Sequence, residues 1–297
     1  MTTKSTFRIN KRILFWLLIG PALVLFAILM LYPLGNMFYV SMLDWRGLLR
    51  PSTFSGLENY QRLLEQDDFS VAVRNTFIHI GIALPMTIYP AFFIAFWLSF
   101  RPRGHRLLRI IFFSPAMIAP PGKALIFLGL YFPDGIINQM LTSVGLQNLT
   151  HVWLADPSTS LGAIIAIDVW GGIGFYAVLF YAMLSNIPAE LYEAARIDGA
   201  NEWTIMRKIA YPLLLDFVGV ALMLHFMWLL LGSSQNVLLL TQGGPGNSSL
   251  TLGYYLYEQA FEVKRLGYSQ AIGVVIFAIG IIGMFLIRRT TNRVYEF

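Results

Sequence analysis

The sequence predicts an all-α integral membrane protein with six transmembrane helices, and three observations carry that prediction. Hydrophobic residues make up 57% of the chain and charged residues only 12%, about half the roughly 25% typical of a soluble domain. Six apolar runs each reach the ~20 residues that a helix needs to cross a bilayer. Lysine and arginine gather in alternate loops, as expected when cytoplasmic loops retain positive charge.

The runs are Ile13 to Pro33, Thr76 to Phe100, Ile110 to Phe132, Leu161 to Leu184, Leu213 to Asn236 and Tyr268 to Ile287. They are continuous, whereas the strands of a closed barrel show short segments of alternating polarity, so the spans are read as helices. With the N-terminus inside, the cytoplasmic pieces hold Lys4, Arg8, Lys11, Arg12, Arg101, Arg103, Arg106, Arg109, Arg196, Arg207, Lys208, Arg288, Arg289 and Arg293. The outer pieces hold only Arg46, Arg50, Arg62, Arg74, Lys264 and Arg265, and Lys123 lies within a span. Residues 1–12 and 288–297 are thus expected as cytoplasmic termini around a membrane domain of 13–287. The first run ends in Leu31-Tyr32-Pro33 without a small-x-small cleavage site, so it reads as an uncleaved anchor.

The net charge of +5 follows from the inside bias and points to lipid, not nucleic acid. The absence of cysteine excludes disulfides and thiolate metal sites. His79, His105, His151 and His225 form no His-Glu-x-x-His zinc helix. His225 reads as a hydrogen-bonded packing residue. Gly122-Lys123 is followed by Ala124, and Met117 stands where a phosphate-binding loop needs its first glycine. No residue is therefore expected to be catalytic, and no metal or cofactor is expected on this chain.

The segment 188–212 between the fourth and fifth runs, which contains most of the stretch ELYEAARIDGANEWTIMRKIAYPLL (Glu190 to Leu214), is charged and helix-forming. Pro188 and Glu190 suit a helix start, and Leu191, Ala194 and Ala195 give a narrow small-residue face. Gly199 falls where a helix ends in a left-handed residue. Asn201 caps a second helix, in which Trp203, Met206, Ile209 and Ala210 form an apolar face. Pro212 ends it. An interfacial connector and a docking element both fit this pattern.

Glu193-Ala194-Ala195, Asp198-Gly199-Ala200, Ile209 and Pro212-Leu213-Leu214 resemble the Glu-Ala-Ala loop of permease subunits in bacterial ATP-binding cassette importers, with Tyr211 in place of the usual leucine. Phe54-Ser55-Gly56-Leu57-Glu58-Asn59-Tyr60, Tyr131 to Asn138, Trp153-Leu154-Ala155-Asp156-Pro157 and Thr241-Gln242-Gly243-Gly244-Pro245-Gly246 are similar to further elements of the carbohydrate branch, near the maltose and glycerol-phosphate permeases. Together these cover roughly residues 13 to 290.

The resemblance implies a type I importer permease in a bacterial or archaeal inner membrane. Its expected partners are a second permease, in a heterodimer, two ATPase subunits that hold ATP and magnesium, and an extracytoplasmic solute-binding protein. Glu193, Ala194, Ala195, Asp198, Gly199 and Ala200 would form the coupling helix against an ATPase. Gly243, Gly244 and Pro245 would face the binding protein. The maltose pattern places the path of a sugar-like solute at Asp168, Trp170, Gly171, Gly172 and Phe175, and at Phe226, Leu229, Leu230 and Ser233. The implied function is ATP-driven import by alternating access. An ion-coupled secondary transporter and an importer permease for a non-sugar solute are the alternatives.

Two charges lie inside the apolar runs, Lys123 about two-thirds along the third and Asp168 about one-third along the fourth. Burying charge in lipid is costly, so both are expected to face the bundle interior, paired with each other or beside the solute path. Snorkelling of Lys123 to the outer surface, with Asp168 in a wet vestibule, is the alternative.

Overall fold

The computed structural model describes residues 11–47 and 50–291. Lys4, Arg8, Arg293 and most of the two predicted termini therefore lie outside the described residues. The described chain is built from helices, with one two-residue pair of strands. In chain order these are α1 (Phe15–Ser41), β1 (Leu43–Asp44), β2 (Thr53–Phe54), α2 (Glu58–Glu65), α3 (Asp67–Ser99), α4 (His105–Met117) and α5 (Pro120–Tyr131). They continue as α6 (Ile136–Ser143), α7 (Ser160–Leu184), α8 (Ala189–Ile197), α9 (Glu202–Ile205), α10 (Leu215–Leu240), α11 (Leu252–Tyr257) and α12 (Leu266–Thr291). Six stretches are long and apolar enough to cross a membrane: α1, α3, Pro120–Ser143, α7, α10 and α12. The chain is a multi-pass membrane protein.

The centre of the bundle is α7, packed along α3 on one side and α4 on the other. Phe92 and Phe180 meet edge to face at 5.4 Å across the α3–α7 contact. A second core joins α3, α10, α11 and α12 around Tyr254, Tyr255 and Leu229. The first span stands at the edge and touches α12 through Phe38 and Phe277. Its apolar stretch is otherwise uncovered, as an outer helix of a lipid-exposed bundle is.

The spans begin and end differently from the sequence prediction, for local reasons. Helix α1 does not stop at Pro33. A π turn over Ala27–Leu31 lets Tyr32 N–H donate to the Ala27 carbonyl, and the widened turn accommodates the missing proline donor. The third run breaks instead. Ile118 (ψ 125°) and Ala119 (ψ 148°) are extended before Pro120-Pro121, as a residue preceding proline prefers. Lys123 consequently sits in the first turn of α5, not two-thirds along a continuous helix.

One end of the bundle is closed by three buried asparagines. Asn59 donates to the carbonyls of Ser41 (2.8 Å) and Leu43 (2.9 Å) and so holds the β1 strand against α2. Asn138 donates to Pro133 and His151 carbonyls and accepts from the Trp153 indole at 2.9 Å. Asn75 offers its amide to the carbonyls of Asn247, Ser248 and Leu250, each about 3.0–3.1 Å away. The start of α12 fits beneath this layer because residue 267 is glycine: a Cβ there would lie 1.8 Å from the Leu43 carbonyl oxygen.

Candidate functional site

A cavity of about 490 Å³ opens between the broken third run, α7 and α10. From α7 it takes Asp168, Gly171, Gly172 and Phe175, whose spacing puts them on one helical face. The ends of α4 and α5 supply Ala116, Met117 and Lys123, and α10 supplies His225, Trp228 and Asn236. The paired glycines are the reason these elements converge. A Cβ at Gly171 would lie 2.6 Å from Lys123 Nζ, and one at Gly172 would lie 2.7 Å from Thr87 Cγ2 and 3.2 Å from the His225 ring.

Asp168 is buried between His79 and Asn236, and only the second contact has hydrogen-bond geometry. Oδ2 is 3.0 Å from His79 Nε2, and Oδ1 accepts from Asn236 Nδ2 at 2.9 Å. Among the described residues no ion pair within 4.0 Å joins it to Lys123. Both charges nevertheless line the same cavity.

The other positions carried over from the maltose pattern lie elsewhere. Phe226, Leu229 and Leu230 are buried in the core shared with α12, and Ser233 donates to the Leu229 carbonyl at 2.7 Å. A π turn over Trp228–Gly232 interrupts α10 between them. Its longer repeat changes which residues face the cavity, so Trp228 and Asn236 do, and Leu229, Leu230 and Ser233 do not. Trp170 points away from the cavity and packs on Phe127 at 5.4 Å.

At the opposite end of the bundle from the asparagine layer, α8 and α9 form a helical hairpin. The turn between them is a Schellman motif: Ala200 N–H donates to the Ala195 carbonyl (2.9 Å) and Gly199 N–H to that of Arg196 (3.0 Å), with Gly199 at φ +80°. Asn201 then caps α9 by accepting from Thr204 N–H at 2.9 Å. The hairpin rests on the end of α3, where Tyr192 meets Phe100 edge to face and the Arg196 guanidinium lies 5.2 Å from the same ring. Burial pushes the Tyr192 phenol up from its ordinary value.

The outer side of the hairpin is uncovered. Glu193, Ala194, Asp198 and Gly199 are exposed, and Ile197 and Trp203 present 86% and 60% of their surface. The packed face of the second helix is formed by Ile205, Met206 and Ala210, with Ile209 half-buried. Trp203 is not part of it, because α9 is only one turn long and passes into a π turn at Met206–Ala210, which invalidates a 3.6-residue extrapolation back to Trp203.

The chain matches, over residues 73–295, the family described as binding-protein-dependent transport system inner membrane component. It belongs to this family. The diacetylchitobiose uptake system permease protein NgcF of Streptomyces coelicolor is 32% identical, with 95% of this chain and 84% of the relative covered. The lactose transport system permease protein LacF of Rhizobium radiobacter is 29% identical over 93% of each. The fold resembles a chain of the solved bacterial ABC transporter that imports alginate, with a TM-score of 0.79, 20% identity, and 96% and 97% of the two chains covered.

In this member of the family the glycine-proline turn after α10 is fastened to its own chain. Gly243 is buried at φ +79° against Leu250 and Tyr254. Ser249 Oγ donates to the Gly244 carbonyl at 2.7 Å, and Gly244 and Pro245 are half-buried. The sequence reading did not select His79 or Asn236 and read His225 as a hydrogen-bonded packing residue. His225 is indeed packed beside Tyr176 and hydrogen-bonded to the Ala83 backbone, and its Nε2 has no partner among the described residues. The available signal was each one's polarity within an apolar run, which marks a candidate site by default.

Proposed function

We propose that this chain is one of two different permeases in an ATP-driven importer of a sugar or sugar-like solute. Both termini lie in the cytoplasm, together with the α8–α9 hairpin. Two partner ATPase subunits bind ATP and magnesium and perform the hydrolysis, and an extracytoplasmic binding protein delivers the solute to the asparagine-closed end. Closure of the ATPase pair pulls on the hairpin, and the cavity beside α7 alternates its access.

The observation that carries this reading is the hairpin itself. A helix closed by a complete Schellman motif and a capped successor is rigid, yet it exposes Ile197 and Trp203 at its tip. Glu193 and Asp198 border that tip, so it suits a cleft with both apolar and basic groups. The names of the relatives support a saccharide, and the aromatic rings of Phe175 and Trp228 on the cavity wall offer flat surfaces to the apolar faces of a sugar ring.

Purification of the tagged chain with its associated proteins tests this. An ATPase subunit is expected to co-purify, and Ile197→Glu is expected to release it while leaving the protein in the membrane. Uptake that follows an ion gradient, with no ATPase attached, would instead identify a secondary transporter.

A further inference from the structure

The cavity wall holds an asymmetric set of polar groups that the importer reading leaves unassigned. Lys123 is the one lysine or arginine among the described residues that line it, and Asp168 is the one acid. Asp168 gives Oδ1 to Asn236, its Oδ2 lies 3.0 Å from His79 Nε2 outside hydrogen-bond geometry, and with 2% of its side chain exposed it presents little carboxylate to the cavity. Lys123 is half-buried, lies across the bare Cα of Gly171, and carries three donors without an ion-pair partner within 4.0 Å among the described residues. Asn236 Oδ1 and His225 Nε2 have no hydrogen-bond partner, although buried polar atoms are nearly always paired. Around these groups stand Ile167, Phe175 and Trp228, surfaces that cannot solvate a charge.

We infer that Lys123, Asn236 and His225 form a solute-binding set for a saccharide with an acidic substituent: the ammonium takes the carboxylate, sulfonate or phosphate, and sugar hydroxyls donate to Asn236 Oδ1 and His225 Nε2. The inference rests on the importer reading and adds the charge of the cargo to it. An anion is the complement that a lone ammonium in an apolar wall selects, because a charge-assisted hydrogen bond there is stronger than a neutral one. The glycine at 171 is what keeps that ammonium in the cavity, since a side chain at this position would displace Nζ. Two helices far apart in sequence, α5 and α10, bring the three groups together, which is why their spacing in sequence gives no motif.

The test uses cells in which the gene for this chain is deleted and then restored as wild type, Lys123→Met or Lys123→Arg. They are fed a partial hydrolysate of mixed neutral and uronic-acid polysaccharides, and the spent medium is read by mass spectrometry. Saccharides left behind by the deletion strain are expected to carry an acid. Lys123→Met is expected to raise the KM for their uptake at least about tenfold, the value of one charge-assisted hydrogen bond, and Lys123→Arg to restore it. KM is compared because loss of folded protein lowers the maximum rate and leaves KM unchanged. Neutral saccharides left behind, or an unchanged KM in Lys123→Met, overturn the inference while leaving an importer in place. No saccharide left behind overturns both readings.

Discussion

The two ends of the bundle solve opposite problems with the same kinds of residue. At the asparagine-closed end, polar residues turn inward: Asn59 and Asn138 of the motifs, with Asn75, give their amides to backbone carbonyls of their own chain, and the Gly243-Gly244-Pro245 turn is pinned by Ser249. At the hairpin end, local hydrogen bonds close the turn and cap the second helix, and the side chains at the tip are left pointing outward. Resemblance to a family marks both ends equally. The contacts separate them into a lid that the chain completes by itself and a tip that needs another protein.

Substitutions that break the first end should cost stability, and those that break the second should cost coupling. The largest loss is expected from Gly267→Val, because even a Cβ would sit 1.8 Å from the Leu43 carbonyl oxygen. Overpacking of this kind costs about 1–3 kcal/mol or more, read as a lowered melting temperature in detergent. Asn75→Leu follows. It removes the amide shared by three carbonyls of the 247–250 turn, of which that of Asn247 keeps the Leu250 N–H, at about 1 kcal/mol for each unmet bond, and hydrogen exchange should quicken in that turn while the hairpin stays protected.

Gly199→Val sharpens the contrast, since a Cβ at Gly199 meets nothing within 4 Å and its only penalty is the left-handed backbone, about 1–2 kcal/mol. Uptake and ATPase association should fall with little change in melting temperature, and Gly199→Asn, which tolerates that conformation, should recover most of both. Asn201→Ala removes one cap, worth about 1 kcal/mol, and should loosen α9 alone.

The smallest effect concerns Asp156 in the loop before α7. Hydrogen bonds from the Ser158 hydroxyl and N–H, with a smaller contribution from His151, hold its carboxyl below the usual carboxylate range. A depressed acid contributes stability that is present above its unfolded value and lost as pH falls through the folded one. Hydrogen exchange of residues 151–160 should therefore rise only under strongly acidic conditions, and Asp156→Asn should abolish that dependence.

Much of the hairpin was legible because its chemistry is local: the positive φ of Gly199 and the cap at Asn201 need only residues within one turn. The α7 positions Asp168, Gly171, Gly172 and Phe175 were supplied by the family resemblance, and they line one cavity because they share a single helical face. The partners of Asp168 were not legible. His79 and Asn236 lie 89 and 68 positions away in the sequence, and only packing of α3, α7 and α10 brings them together. The π turns at Met206–Ala210 and Trp228–Gly232 also defeated extrapolation. Each adds a residue to one turn, so every later position faces a different neighbour from the one a regular helix would give it.

The break before Pro120-Pro121 has a mechanical meaning. Helix α4 lies against α7, with Arg109 stacked over the Tyr181 ring, whereas α5 packs against α10 on the far side of the break. Neither proline has an N–H to donate to a carbonyl of the turn before it, so no unbroken ladder of hydrogen bonds runs between the two pieces. A span interrupted in this way does not behave as a rod. Its halves are free of a shared hydrogen-bond ladder, and the joint between them lies at the cavity wall.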